Sequence, residues 1–182
     1  MKINRFSVMS PSTLSFDQAL CAPVCVFRGR HASLALDLLR ELMGDPTLSG
    51  DPDGYDDGRF VLHADVEMDG KPYNVCYIRN ADTMGDNRIA VNFLPCSMEF
   101  SRDDTGEFLE KCNHPDEKDL PIFLYDFLDR MDEAVDTAPL LAHLASVGRQ
   151  VFIAVCPGYP TEKLNCPLVQ VIETEKAHAE SL

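Results

Sequence analysis

The sequence has no apolar run approaching the roughly 20 residues that a membrane-crossing helix needs, so no membrane association is expected. Its opening, "MKINRFSVMSPSTLSFD", lacks the long apolar stretch of a secretory signal. Basic residues are scarce: 16 Lys and Arg face 30 Asp and Glu, for a formal net charge of −14, and no basic run occurs. A phosphate backbone would be repelled at long range, so direct nucleic-acid contact is not expected and the acidity reads as solubility. No CxxC pair occurs among the seven cysteines, and Cys21 and Cys25 stand four apart. An odd count, no visible signal, and the position of Cys25, Cys76 and Cys156 in strand-like apolar runs read as reduced thiols packed as small hydrophobes. Those features predict a cytoplasmic protein.

What is present points to an α/β chain. A length of 182 residues with 45% hydrophobic residues suits one domain with a sizeable core. Residues 2–8 read as a short strand, with "TLSFD" as a second paired to it. Three continuous apolar runs, at about 24–28, 121–126 and 150–156, read as strands buried on both faces. They are expected to be neighbours in one mostly parallel, fully covered sheet. A helix over about 33–43 carries Leu34, Leu38 and Leu42 at helical spacing and stops at Gly44 and Pro46. "AVDTAPLLAHLASVG" reads as another helix, with Thr137 capping it and Pro139 in its first turn. Between these lies an antiparallel block at about 58–95: "RFVLHADVEM" alternates, "DGK" turns, and "PYNVCYI" and "RIAVNFL" follow. Residues 97–113 read as helical, and "LVQVIET" as a last strand. The acidic stretch "GDPTLSGDPDGYDDG" lacks the spacing of an EF-hand and its closing Glu, and reads as a solvated loop.

The order of these pieces resembles the SMC/RecF-type ATPases of the ABC class. Two short strands are followed by the apolar "VCVF", a loop at Arg28-Gly29-Arg30-His31, and a helix, which matches the approach to a Walker A loop. "LPIFLYDFLDRMD" looks like a Walker B strand ending in Asp126 and a D-loop ending in Asp132. A helix and the core strand "RQVFIAV" follow in the family's order. The resemblance touches most of residues 1–182. It implies a single P-loop NTPase-like domain with a three-layer core, a mostly parallel sheet and an antiparallel β-subdomain.

The family's Walker A pattern is GxxGxGK[S/T]. Its glycines let backbone N–H groups approach phosphates, its lysine meets their charge, and its hydroxyl holds Mg²⁺. Laid on Gly29, the next glycines fall on Ala32 and Leu34, the lysine on Ala35 and the hydroxyl on Leu36. No lysine occurs between Lys2 and Lys71. Phe127 stands where the catalytic Glu should follow Asp126, and Cys156 or Pro157 stands where a His is expected. "SRDDTGE" replaces the signature motif, and the stretch from Asn80 to Leu120 is too short for an SMC coiled coil. The resemblance therefore implies a degenerate, compact relative: a non-catalytic pseudo-ATPase that interacts with a protein partner or with itself. No cofactor is expected.

Other chemistries remain as expectations to test. The alternative within the family is an atypical ATP-binding ATPase using ATP and Mg²⁺. Gly29, Arg30, His31 and Ser33 form the candidate nucleotide- or anion-binding remnant, with Arg28 beside them and Ser33 as the helix cap. Asp126 and Asp132 are the Walker B and D-loop remnants. A further alternative is a cysteine- or metal-dependent enzyme. Cys156 would be its strand-end nucleophile, with His31, His63, His114 or His143 as base, or Cys96, Cys112, His114 and Cys156 would be zinc ligands. The bland reading of Cys156 is a structural thiol.

Overall fold

Two of the apolar runs become the centre of a parallel sheet. The structure is a computed structural model and describes residues 1–9, 14–42, 59–68, 70–80, 88–93, 96–101, 120–131 and 135–174. Strand β1 (Lys2–Met9) leads to β2 (Ser15–Ala19), β3 (Val24–Arg28) and helix α1 (Ala32–Leu42). Four strands follow: β4 (Arg59–Met68), β5 (Lys71–Asn80), β6 (Arg88–Phe93) and β7 (Cys96–Ser101). The chain then forms β8 (Ile122–Tyr125), α2 (Ala138–Ser146), β9 (Val151–Val155), a 3-10 turn at Thr161–Leu164 and β10 (Val169–Glu173). A parallel sheet runs in the order β10-β3-β9-β8, and an antiparallel sheet in the order β2-β1-β4-β5-β6-β7.

Alternation along β3 and β9 sends side chains to two cores. Cys25, Phe27, Phe152 and Ala154 face α1 and the inner residues of β1, β4 and β5. Val24, Val26, Val151, Ile153 and Val155 face Leu141 of α2, with Leu128, Tyr159 and Leu164. A row of rings runs through the first core. Phe16 and Phe6 stand 5.5 Å apart, Phe6 and Phe27 6.3 Å, Phe27 and Phe152 6.2 Å, and Phe152 and Phe123 5.7 Å. Such pairs add about 0.5–1.5 kcal/mol each beyond their buried area, so this row ties β2 through to β8. Helix α1 is buried nearly all round: Ala32, Leu34, Ala35, Leu36, Leu38, Leu39 and Leu42 are each at most 2% exposed. Ser33, Asp37 and Arg40 fall at helical spacing on one narrow polar stripe, and the wide apolar face around it is covered.

Two glutamines, Gln150 buried and Gln170 half-buried, stitch the sheets together. Gln150 donates from Nε2 to the Ile3 carbonyl and accepts the Ile3 N–H on Oε1, both at 2.8 Å. Gln170 donates to the Ala19 carbonyl at 2.7 Å and accepts the Cys21 N–H at 2.9 Å. Each side chain stands in for a neighbouring strand and satisfies backbone groups that the sheet leaves open.

Several expectations need correction. The run at 121–126 forms a strand only over Ile122–Tyr125, and it is half-buried rather than fully covered. It is the terminal strand of the parallel sheet among the described residues, so only β9 pairs with it. Residues 97–101 belong to strand β7, paired with β6, and not to a helix. The antiparallel block is not three-stranded, because β1, β2 and β7 join it. Helix α1 begins at Ala32, one residue early, so Ser33 lies inside its first turn and does not cap it. Thr137 makes no side-chain cap; its hydroxyl donates to the Lys163 carbonyl at 2.7 Å, and Asp136 takes the Ala138 N–H instead. The acidic loop over 44–58, Asp132, the tail from Glu175 and the remainder of the expected helix over 102–113 lie outside the described residues. No helix among the described residues is long and apolar enough to cross a membrane.

Candidate functional site

In an open parallel sheet, ligands bind outside the carboxyl ends of the strands. Here those ends bring together Gly29, Arg30 and His31 after β3, Asp126 after β8, Cys156 after β9, and Glu173 and Thr174 at β10. The β3–α1 connection is only three residues, 29–31, because β3 ends at Arg28 and α1 starts at Ala32. Gly29 adopts φ 122, a region that glycine enters without strain, and its carbonyl accepts the Ala32 N–H at 3.2 Å. The chain thus turns tightly and folds one of its helix-end donors back on itself. His31 takes the Ala35 N–H at 2.9 Å, the first bond of the helix. Ala35 and Leu36, where the resemblance would have put a lysine and a hydroxyl, are fully buried in the core.

Arg28 is already engaged. Its Nε lies 3.1 Å from a Glu173 carboxylate oxygen, and its guanidinium also donates to the Tyr159 carbonyl at 3.4 Å. Thr174 returns two bonds to the Arg28 carbonyl, from its N–H and its hydroxyl, each at 2.9 Å. Arg30 and Ser33 are exposed, and His31 is half-buried. Arg28, Glu173 and Thr174 hold β3 against β10 and the loop after β9.

Asp126 stands two strands from the loop, across the end of β9. At about 4.8 Å per strand, that separation is roughly 10 Å. Its backbone adopts φ 49, the only described non-glycine residue in the left-handed region. Its exposed carboxylate lies 4.0 Å from Arg130, one helical turn on, a surface pair of small energetic weight.

The carboxylate that organises this edge is Asp129, which the sequence reading passed over. Both of its oxygens accept the Cys156 N–H, at 3.2 and 3.3 Å, and so bridge the ends of β8 and β9. The Cys156 thiol donates to the same carboxylate. That bond pushes its pKa up first, followed by desolvation and the carboxylate charge, while the N–H groups of Gly158 and Tyr159 oppose the rise. A thiol raised in this way is the reverse of an activated nucleophile. Burial likewise pushes Cys25 up to about 12. The signal for Asp129 was its three-residue spacing from Asp126, in "LYDFLD".

The zinc reading gains nothing from this geometry. Cys112 and His114 lie outside the described residues, and Cys96 is described only as a residue of β7. Among the described residues, no three His, Cys, Asp or Glu side chains converge as a metal-ligand set. What the carboxyl edge offers is a closed hydrogen-bonded seam with Asp126 and its neighbour Phe127, 37% exposed, on its outside. Compared with protein-family models, with curated proteins and with solved structures, the chain gives no match.

Proposed function

We propose that this chain is a pseudo-ATPase: a degenerate P-loop NTPase-like protein of the ABC/SMC type that acts by contact with a protein partner or with a second copy of itself. The observation that carries the reading is the β3–α1 connection. Three residues and one positive-φ glycine leave no loop long enough to wrap phosphates, and the positions of the lysine and the hydroxyl are turned into the core. The family part of the reading draws support from three expected strands lying side by side as β3-β9-β8, with an antiparallel sheet against the α1 side. The edge position of β8 counts against it. Phe127, exposed where the family keeps its catalytic Glu, supports contact over catalysis.

The atypical-ATPase alternative rests on Asp126, a retained carboxylate held in a left-handed conformation at a strand end. Sedimentation velocity separates the two readings. The pseudo-ATPase is expected to give the same sedimentation profile with and without ATP and Mg²⁺. A nucleotide-dependent dimer would favour the ATPase.

A further inference from the structure

We draw no further inference here: the strongest candidate, the half-buried apolar edge of strand β8, which pairs only with β9 among the described residues, carries none because nothing in the structure shows what covers it.

Discussion

At the residue scale, the side chains that matter most to the fold are polar ones that close backbone accounts. Gln150 satisfies both backbone groups of Ile3 from a buried position. Gln150→Ala leaves a buried donor and acceptor together, at about 1–3 kcal/mol for each such group. Urea unfolding should show a loss of that order, larger than at an exposed glutamine. Asp129 governs Cys156 in a way that pH reveals. Its carboxylate raises the thiol pKa, so at a given pH near 8 less thiolate is present than in a free cysteine. Asp129→Asn removes the cause, lowers the pKa and should speed iodoacetamide labelling of Cys156, read by mass spectrometry. An unchanged rate would mean that the carboxylate does not control the thiol. Asp126, at φ 49, tolerates its conformation because Asp enters the left-handed region more readily than branched residues. Asp126→Val should therefore destabilise by about 1–2 kcal/mol, although its surface ion pair carries little.

At the scale of elements, α1 shows how packing can close a helix that follows a strand end to a ligand. With its apolar residues covered on every side, it has no room for a charged group at 35 or a hydroxyl at 36. Leu36→Ala should lower stability by about 2–5 kcal/mol, as cavity-forming core changes do; thermal unfolding followed by circular dichroism checks it. The other element of interest is the edge strand β8. Tyr125 donates to Asp37 of α1 at 2.7 Å and accepts from Arg40 at 3.2 Å, and the Arg40 guanidinium lies over the Phe123 and Tyr125 rings. Arg40 and Asp37, two of the three residues of α1 left outside the core between Ala32 and Arg40, thus tie the half-covered strand to the helix, beside its pairing with β9. β3 and β9 were legible because an unbroken apolar run needs two covered faces. β8 carries the same pattern, yet its place at the edge depends on which strands pair, and no local run encodes that. β7 was misread for a related reason. "CSMEFS" alternates over six residues, but its phenylalanine also fits a longer helical spacing reaching to Cys112, and pairing with β6 decides between the two.

At the scale of the molecule, charge and topology set the behaviour. A chain of net charge −14 repels itself at neutral pH, so moderate NaCl should raise the melting temperature by screening; a steady fall would show that paired charges dominate. The candidate site was half legible. Gly29, Arg30, His31 and Asp126 were visible as residues beside apolar runs, and the structure sets them at one edge of one sheet. Asp129 was not, because its role is a bond to Cys156, 27 residues away. The central claim is that the β3–α1 turn cannot hold nucleotide. Two missing charge-assisted contacts, at about 1.5–3 kcal/mol each, remove roughly 3–6 kcal/mol, a factor on the order of 10² to 10⁴ in affinity. Calorimetric titration of ATP with Mg²⁺ measures this directly. The account predicts no binding below the high micromolar range, unchanged in Asp126→Ala; a micromolar dissociation constant that Asp126→Ala abolishes would contradict it.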